Sequence, residues 1–414
     1  MLNSYKSKII YDPIHGHIDI DVISIKIIDT PEFQRLRYIK QLGNVSYVYP
    51  SACHNRFEHS IGVYYLAGKL INTLKNNQPE LNITSQDILN VKIAGLCHDL
   101  GHGPFSHLFD NYISKGCGTY SNHEKRSELI LEYIINKYEI DINQDNINTI
   151  KKMINPTKED LGFKFQIVSN LKTGLDVDKF DYIKRDTFYL GINYNCEYLR
   201  IINYAKVIND NICYPNKLIN SIYNIYYSRF RLHNEVYLHP VCKSIDLMIM
   251  DLLTVNPKFL KEFKNSIDNP ETFCKYTDHI LTYLKFGNFN TNLLQKIELR
   301  QLYNFIGEID NKYINEDKQV IPLNKHVLKN IINKYEIFKD IIIDDLSFGI
   351  DIELFNNIPV YSLGLNQYQL IKTLDRKFDM LSFGEKNIIR FYNKGKNDIN
   401  LKQIYEHLNM EFNN

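Results

Sequence analysis

The segment HDLGHGPFSH, from His98 to His107, constrains this chain more than any other stretch of its sequence. It holds three histidines and one aspartate, and its glycines and its proline end a helix and turn the backbone sharply. Side chains that bind metals and transfer protons are thereby brought together at one turn. The segment therefore predicts a functional site at the end of a helix.

The composition is that of a globular protein with a balanced surface. The chain has 414 residues, of which 44% are hydrophobic and 23% are charged, enough for a large core and one smaller lobe. Its formal net charge of +1 provides no overall field that would attract nucleic acid or an anionic membrane. The charge argues against a membrane partner and leaves nucleic-acid binding open. Any polyanion site must be a local cluster of cations.

The cysteines and the apolar segments indicate the compartment. The seven cysteines are scattered, and no two have the two-residue spacing of a zinc site or a redox pair. The N-terminus has too few consecutive apolar residues for a signal peptide, and no run approaches the roughly 18 apolar residues that a membrane span needs. We expect reduced thiols in a soluble cytoplasmic or nuclear protein that is not secreted.

Three predicted helices carry most of the histidines of interest. RFEHSIGVYYLAGKLINTL has the apolar spacing of a buried helix and places His59 in its first turns. Thr84 opens a capping box for a helix that ends at Gly101 and carries the adjacent His-Asp pair in its last turn. A second capping box, the Ser and Glu of SNHE at 121–124, predicts a helix with His123 in its first turn.

The remaining chain predicts a mostly α protein with a smaller mixed lobe. Thr30 precedes a helix over EFQRLRYIKQL, and the pattern stays mostly helical from Gln166 to Leu253. After about residue 290, a helix LLQKIELRQLYNFIG is followed by alternating runs, DIELF and IPVYSL, that indicate strands. We therefore predict a helical core over 1–290 and a C-terminal α+β lobe over 291–414.

One distant aspartate completes a set of metal ligands. His59, the pair His98 and Asp99, and Asp178 can present two imidazoles and two carboxylates to one cation, a mixture that suits Fe, Mn or Zn better than Mg. Such a metal lowers the pKa of a bound water and holds a hydroxide that can attack phosphorus. Each part also has an ordinary interpretation, because His-Asp pairs occur by chance and DVDKFD can be a solvated acidic face.

Five segments resemble one enzyme family. They are DPIHGHIDI (12–20), DTPEFQRLRYIKQLG (29–43), HNRFEHS (54–60), AGLCHDLGHGPFSHLFD (94–110) and DVDKFDYIKRD (176–186). All are similar to the HD-domain deoxynucleoside triphosphate triphosphohydrolases, and most to the vertebrate-type enzyme with an N-terminal SAM domain. From this resemblance we expect the chain to start just ahead of the catalytic domain, without the SAM domain. The resemblance implies an HD-domain (HD/PDEase-like) helical core with a divalent metal.

The resemblance implies a role for each residue of the site. The metal ligands would be His59, His98, Asp99 and Asp178. The catalytic face would consist of His102, His107, Asp110 and His123. Among these residues we expect His107 to protonate the departing 5′-oxygen, because a histidine has a pKa near neutrality.

The substrate-binding residues follow from the same resemblance. The triphosphate, with its Mg²⁺, would be held by Arg56, Lys179, Tyr182 and Arg229. The sugar would be contacted through its 3′-hydroxyl by Gln41 and Asp186, with His233 nearby, while the space for a ribose 2′-hydroxyl would be filled by Leu42 and Tyr237. With 30 tyrosines in the chain, Tyr237 also has the ordinary interpretation of a core or surface residue.

Nucleotides that bridge subunits activate enzymes of this family. A guanine-specific site for GTP or dGTP would consist of Lys8, Asp29, Gln34, Arg37 and Arg300. A second site, for a dNTP, would include Ile9, His17, Arg200, Lys217 and His239, but Tyr11, Pro215 and Pro240 stand where an Asn and two basic residues are expected. Asn304 likewise replaces a Lys beside the first site. We expect a homo-oligomer, from dimer to tetramer, although Arg35 and Arg37 can also be ordinary surface charges.

The sequence therefore predicts a dNTP triphosphohydrolase that releases the deoxynucleoside and inorganic triphosphate. Two other interpretations stay open. One is an HD phosphohydrolase that acts on cyclic dinucleotides or nucleic-acid ends. The other is a nucleotide-gated oligomeric binding protein with weak hydrolysis, which the altered second activator site favours.

Overall fold

A computed structural model describes residues 7–160, 162–194, 196–314, 320–349, 352–362, 364, 367–374, 386–395 and 398–412. The helices are α1 (Val22–Ile28), α2 (Pro31–Gln34), α3 (Arg56–Asn77), α4 (Ser85–Cys97), α5 (His123–Lys137), α6 (Gln144–Ile154), α7 (Val177–Leu190), α8 (Tyr198–Asn203), α9 (Ile219–Leu232), α10 (Pro240–Thr254), α11 (Pro257–Asn265), α12 (Pro270–Phe273), α13 (Ile280–Phe286), α14 (Asn292–Glu298), α15 (Lys325–Ile332), α16 (Ile352–Asn356) and α17 (Leu401–Phe412).

The strands are short and form small sheets. They are β1 (Lys8–Asp12), β2 (Gly16–Ile20), β3 (Lys206–Ile208), β4 (Asn211–Pro215), β5 (Asn304–Asp310), β6 (Lys312–Ile314), β7 (Val320–Pro322), β8 (Ile341–Phe348), β9 (Pro359–Tyr361), β10 (Tyr368–Leu370) and β11 (Lys386–Asn393). The predicted fold class, mostly α with an additional α+β part, is confirmed. Within the described residues, no helix is both long enough and apolar enough to cross a bilayer.

The chain divides into two units that alternate along the sequence. The first comprises Met1–Arg229, Asn256–Phe289 and Ile352–Phe378. The second comprises Phe230–Val255, Asn290–Asp351 and Asp379–Asn414. Each unit therefore takes its parts from separate stretches of the chain.

The core of the first unit is built around α3. This helix is buried on most of its faces, and α4 and α7 pack against it. Gly95 of α4 allows a close approach, because a Cβ there would lie only 3.0 Å from the carbonyl oxygen of Val63. Asn55 caps the start of α3 and Asp176 caps the start of α7, each accepting a backbone N–H from the first turn. These helices bring the start of α3, the end of α4 and the start of α7 together.

Two small sheets complete the first unit. Strands β1 and β2 form an antiparallel hairpin, in which Tyr11 lies opposite His17. The other sheet has the strand order β10-β9-β4-β3, with β4 parallel to β9 and the remaining pairs antiparallel. Strands β3 and β4 interrupt the region from Gln166 to Leu253, which the sequence predicted to be mostly helical.

The second unit has its own mixed core. Its main sheet is antiparallel with the order β5-β11-β8, and α15 and α17 contribute to the same core. Leu328, Phe338, Ile389, Phe391 and Leu408 are among the side chains buried there. Strands β6 and β7 form a separate hairpin.

Several helix predictions are confirmed, with different ends. Thr84 forms the predicted capping box of α4, and Thr30 caps α2. The helix predicted over EFQRLRYIKQL is shorter, since it continues only as a 3₁₀ turn to Tyr38. The cap of α5 is Asn122, which accepts the N–H of Lys125, and not the predicted Ser of the SNHE box. Asn is as good an N-cap as Ser, so the shift by one residue has little energetic effect.

Two predictions near the C-terminus are wrong. The helix predicted over LLQKIELRQLYNFIG ends at Glu298, and its last residues enter β5 instead. Residues 352–355 of DIELF, which was predicted as a strand, lie in the short helix α16, and Asp351 is outside the described residues. The strand in IPVYSL is confirmed as β9, but it pairs with β4 in the first unit. Short alternating segments take the conformation that their tertiary neighbours favour, which a local pattern does not reveal.

Two glycines of α3 provide a test of this packing. A Cβ at Gly62 would lie 2.0 Å from Oδ1 of Asp181, whereas a Cβ at Gly68 would meet only the flexible side chain of Lys92 at 3.2 Å. We expect Gly62→Ala to destabilise the protein by about 1–3 kcal/mol or more. Gly68→Ala should be neutral, or stabilising by up to about 1 kcal/mol, because Ala favours a helix over Gly. Apparent melting temperatures measure both effects, and equal values for the two variants would contradict the packing.

Candidate metal centre and active site

Three helices converge on one group of ligand atoms. His59 lies in the first turns of α3, His98 is the C-cap of α4, and Asp178 is in the first turn of α7. The Nε2 atoms of the two histidines are 3.2 Å apart, and Oδ1 of Asp178 is 3.0 Å from the first and 3.5 Å from the second. These atoms lie within 4.8 Å of one another, which is close enough to bind one cation.

Asp99 faces the same centre. Its Oδ2 atom is 3.4 Å from Nε2 of His59, and its Oδ1 atom is 3.4 Å from Nε2 of His98. The Oδ2 atom also accepts a 2.6 Å hydrogen bond from Arg56, and Oδ1 lies 3.2 Å from Nε2 of His102. Asp99 therefore connects the metal-ligand group to the neighbouring histidines.

Buried hydrogen bonds orient the two imidazoles. Nδ1 of His59 lies 2.7 Å from Oδ2 of Asp181. Arg185 donates to both oxygens of this carboxylate, to Oδ2 at 2.8 Å and to Oδ1 at 3.0 Å, and Nε2 of His15 lies 2.6 Å from Oδ1. Nδ1 of His98 is 2.8 Å from the carbonyl oxygen of Gly95. In both rings Nε2 is thereby directed to the centre, as is usual for a metal-bound histidine.

This supporting network was not predicted from the sequence. Asp181 and Arg185 are four residues apart on α7, a spacing that brings side chains together and was a usable signal. His15, in contrast, is separated from Asp181 by 166 residues, so only the folded structure reveals their contact.

The centre has a surplus of negative charge. Burial disfavours the charged form of His59, but the hydrogen bonds to Asp178 and Asp181 outweigh it and raise the pKa to about 10. Burial is likewise outweighed in His98, whose pKa is raised by Asp99 and Asp178. The carboxylates that favour protonated imidazoles here also favour a divalent cation, which can bind in place of these protons. Two imidazoles and two carboxylates are a donor set that fits Fe, Mn or Zn.

Two buried arginines hold the turn after α4. Arg35 donates to the carbonyl oxygens of Leu100 and His102, at 2.7 and 2.8 Å. Arg126 donates to the carbonyl oxygen of Gly101 at 2.7 Å. Arg35 is only 4% exposed, so its interpretation as a surface charge is wrong. Buried carbonyl oxygens in a turn need hydrogen-bond donors from elsewhere in the protein, and these guanidinium groups supply them.

Beyond this turn, the remaining histidines form a cluster. The rings of His102 and His123 stack at 4.0 Å between centroids, and the ring of His107 stands edge-on to that of His102 at 5.3 Å. Nδ1 of His123 is 2.8 Å from Oδ2 of Asp110, and this contact outweighs burial and raises the pKa of His123. Desolvation by the surrounding protein and the charges of Arg56 and His123 lower the pKa of His107. His123 is therefore the better proton carrier of the two before any anion binds.

The predicted phosphate ligands lie in the first unit. Lys179 and Tyr182 are on α7, and Arg229 acts electrostatically on both. The Nζ atom of Lys179 is 3.2 Å from Oδ2 of Asp176, and that carboxylate helps to raise the pKa of the lysine against its burial. Arg56 also belongs to this unit, where its guanidinium bonds the carboxylate of the HD pair and the hydroxyl of a serine.

The predicted sugar ligands are distributed between the two units. In the first unit, Gln41 is buried, and its Oε1 atom has no hydrogen-bond partner among the described residues. Oδ1 of Asp186 is 2.8 Å from Nε2 of His54. Leu42 directly follows Gln41. His233 and Tyr237 belong to the second unit, where their rings are 4.9 Å apart, and their role toward a sugar stays a prediction.

Comparison with known proteins identifies the family. The model of the HD domain matches residues 56–205, which include His59, His98, Asp99 and Asp178. The human deoxynucleoside triphosphate triphosphohydrolase SAMHD1 is 35% identical over an alignment 460 positions long, which covers 96% of this chain and 72% of the human protein. The chain belongs to the SAMHD1 family.

Other members of the SAMHD1 family match with higher identity over a shorter region. The Dictyostelium discoideum SAMHD1 homolog is 41% identical over 312 residues, or 73% of this chain and 60% of the relative. The Bos taurus SAMHD1 is also 41% identical, over 345 residues that cover 73% of this chain and 59% of the bovine protein. The chain spans about three fifths of the length of these two relatives.

The residues predicted for the first activator site of the SAMHD1 family form two contacts. Lys8 makes an ion pair with Asp29, and Arg37 donates to Oε1 of Gln34 at 2.8 Å. Arg37 is exposed, with its guanidinium 3.6 Å from the centre of a phenylalanine ring. These four residues are in the first unit and Arg300 is in the second.

The second predicted activator site differs in its chemistry. Tyr11 and His17 are exposed and meet edge to face at 5.3 Å. On the same hairpin Ile9 is 65% exposed, and elsewhere in this unit Lys217 and Arg200 are exposed.

The substituted positions of that site have structural roles. Pro215 ends β4 and pairs with β9, and Pro240 occupies the first position of α10. His239 caps that helix by accepting the N–H of Val241. Asn304, the substituted position beside the first predicted site, is the exposed first residue of β5. Neither proline can supply the positive charge that a phosphate needs.

Removal of one supporting carboxylate tests the metal centre. We expect Asp181→Asn to weaken Mn²⁺ binding by about 10- to 100-fold, because His59 loses the carboxylate that orients it. The exposed Asp141→Asn is the matched control and should bind Mn²⁺ like the wild type. Calorimetric titration of the metal-free protein measures both, beside a melting curve that shows whether the variant is folded. Unchanged Mn²⁺ affinity in a folded Asp181→Asn protein would contradict the proposed orientation.

Proposed function

We propose that this protein hydrolyses deoxynucleoside triphosphates to the deoxynucleoside and inorganic triphosphate. The observation that carries the proposal is the convergence of His59, His98, Asp99 and Asp178 beside a cluster of further histidines and cations. The membership of the chain in the SAMHD1 family supports it, because its relatives are named deoxynucleoside triphosphate triphosphohydrolases.

The metal would be held by the two imidazoles and by one or both carboxylates of this group. When bound, a divalent Fe, Mn or Zn ion makes a water molecule acidic enough to be a nucleophile near neutral pH. Asp181 and Gly95 keep the Nε2 atoms of the histidines directed to this ion.

The triphosphate would lie against cations outside the metal centre. Lys179 and Arg229 supply positive charge from α7 and α9, and Tyr182 supplies a hydroxyl donor. Arg56 would approach the same phosphates while it binds Asp99. A bound Mg²⁺ would neutralise the remaining phosphate charge.

The leaving deoxynucleoside requires one proton. As the nucleophile forms its bond to the α-phosphorus, the bond to the 5′-oxygen breaks, and that oxygen takes a proton from His107. An anionic triphosphate nearby raises the pKa of His107, which its cationic neighbours lower in the free protein. The protonated pair of His123 and Asp110 would supply the proton through the cluster.

Selectivity for a deoxyribose would rest on shape and on the 3′-hydroxyl. The unsatisfied Oε1 atom of Gln41 and the carboxylate of Asp186 would accept from that hydroxyl. Leu42, together with Tyr237, would fill the space that a 2′-hydroxyl needs. His233 would lie beside the same substrate.

The proposal also includes activation of the protein by nucleotides. GTP or dGTP would bind at Lys8, Asp29, Gln34, Arg37 and Arg300 and favour assembly of a homo-oligomer, from dimer to tetramer. The lobe over 291–414 would contribute to this regulation. The second activator site lacks two cations at Pro215 and Pro240. This loss favours weaker dependence on a dNTP activator, or the alternative of a nucleotide-gated binding protein with weak hydrolysis.

A product analysis tests the reaction. We expect the wild type, loaded with Mn²⁺ and supplied with GTP, to release inorganic triphosphate from dNTPs and much less from NTPs. The double variant His98→Ala/Asp99→Ala should lose this activity and most bound metal. Anion-exchange separation of the products identifies inorganic triphosphate directly. The exposed His326→Ala variant is the control for loss of a histidine.

The same panel distinguishes the rival enzymes. It includes cyclic dinucleotides and single-stranded RNA beside the nucleotides. Cleavage of either one without release of inorganic triphosphate from dNTPs would overturn the proposal in favour of another HD phosphohydrolase.

Mass measurement in solution tests the regulation. With GTP plus dATP we expect a larger species than in the absence of nucleotide, and Arg37→Ala should require more GTP to form it. Lys158→Ala, which removes another exposed cation of the first unit, should assemble like the wild type. Hydrolysis of dNTPs at an unchanged mass would show constitutive activity and contradict the switch.

A further inference from the structure

The carboxylate of Asp278 joins two distant segments of the first unit. It lies between α12 and α13, and its Oδ2 atom accepts the backbone N–H of Lys40 at 2.9 Å. Its Oδ1 atom accepts the backbone N–H of Phe105 at 2.7 Å. These partners are 238 and 173 residues away in the sequence. In return, the amide of Asp278 donates to the carbonyl oxygen of Tyr38 at 3.1 Å.

Asp278 does not cap α13, the helix that follows it. An Asp just before a helix usually caps it, but the N-cap of α13 is His279, with no side-chain hydrogen bond. Burial raises the pKa of Asp278 to about 6, against the opposing effect of the amides of Lys40 and Phe105 and of the charges on Lys40 and His279. The protein therefore keeps a partly desolvated carboxyl group to bind backbone that belongs to other elements.

Both of its partners adjoin residues of the proposed site. Lys40 directly precedes Gln41 and Leu42, which we assign to the sugar. Phe105 is two residues before His107, which we assign to proton transfer. One carboxylate thus touches the backbone of both parts of the site.

The turn at Phe105 needs such support. Phe105 and Ser106 have φ values of 61° and 55°, a left-handed conformation that is unfavourable for residues other than glycine. Ser106 donates from Oγ to the carbonyl oxygen of Lys40 at 2.7 Å, beside the bond from Asp278. The strained turn is therefore held by contacts with the segment that precedes Gln41.

The two segments have little room to shift. A Cβ at Gly43 would lie 2.8 Å from the carbonyl oxygen of Phe105. Arg56 reaches both segments, with Nε 3.1 Å from Oγ of Ser106 and a terminal nitrogen 3.3 Å from the carbonyl oxygen of Gln41. If either segment moves, Arg56 must move with it, and Arg56 also donates to the carboxylate of Asp99.

We propose that Asp278 is a positioning residue of the active site, which fixes the sugar-binding segment at Gln41 against the turn that presents His107. This role rests on the proposed function, since both segments are assigned through it. The carboxylate contacts neither substrate nor metal. It acts through the backbone amides of Lys40 and Phe105.

Two substitutions at Asp278 separate charge and acceptors from size. Asp278→Asn keeps one acceptor oxygen and turns an NH₂ group toward the other amide, so one of the two bonds is lost. We expect kcat for dATP to fall about ten-fold or more, with a smaller change in KM and unchanged bound metal. Asp278→Glu keeps both acceptors and should recover most of the lost kcat. The exposed Asp268→Asn is the matched control and should behave like the wild type.

The kinetic measurements on these variants test the positioning role of Asp278. A folded Asp278→Asn protein with the kcat of the wild type would overturn it. Equal losses in folded Asn and Glu variants would also overturn it, because the two acceptors would then be irrelevant. A role in general folding alone would lower the melting temperature and metal content together, without the split between kcat and KM.

Hydrogen exchange of the wild type gives an answer that needs no variant. The amides of Lys40 and Phe105 should be protected to a similar extent, as measured by mass spectrometry with residue resolution. Exchange of either amide at the rate of an exposed loop would contradict the proposal even if Asp278→Asn does not fold. If the wild type releases no inorganic triphosphate, the proposed function fails. Protection of the two amides then still shows whether Asp278 holds the two segments together.

Discussion

The site depends on two buried guanidinium groups that hold the turn after a helix. Arg35 and Arg126 together bind the carbonyl oxygens of residues 100–102, just after α4 ends. Positive charge at this end of a helix is favourable because the helix dipole is negative there. Since these bonds determine the path of the backbone, they also determine where His98 and His102 point. The same turn can therefore serve both the metal centre and the histidine cluster.

Charge in this protein is balanced locally instead of over the whole surface. The net charge is only +1, yet the centre gathers enough carboxylates to raise the pKa of His59 to about 10. Arg185, fully buried, offsets Asp181 and Asp12 behind that histidine. Acidic and basic side chains thus neutralise one another inside the protein. The proposed cation and polyphosphate would therefore not require a strongly charged surface.

The sequence indicated the residues that converge at the centre better than it indicated their supports. Helix periodicity and a capping pattern placed His59 and the HD pair near helix ends, whereas the spacing of Asp178 was a weaker signal and the family resemblance supplied it. Asp181 was detectable from its four-residue spacing to Arg185 on α7. His15 and Asp278, in contrast, contact residues that are 166 and at least 173 positions away in the sequence, and no local pattern encodes such contacts. The mixed elements near the C-terminus were wrong for a related reason, because their conformation follows from pairing with remote strands.

The alternation of the two units has a consequence for how this chain can be divided. The first unit's sheet takes β3 and β4 from the middle of the sequence and β9 and β10 from beyond residue 358. A fragment that stopped at residue 290 would expose the edge of β4 where β9 belongs, and an exposed strand edge invites pairing with another chain. Truncation at that point would therefore remove parts of both units, which cannot be separated by a single cut in the chain.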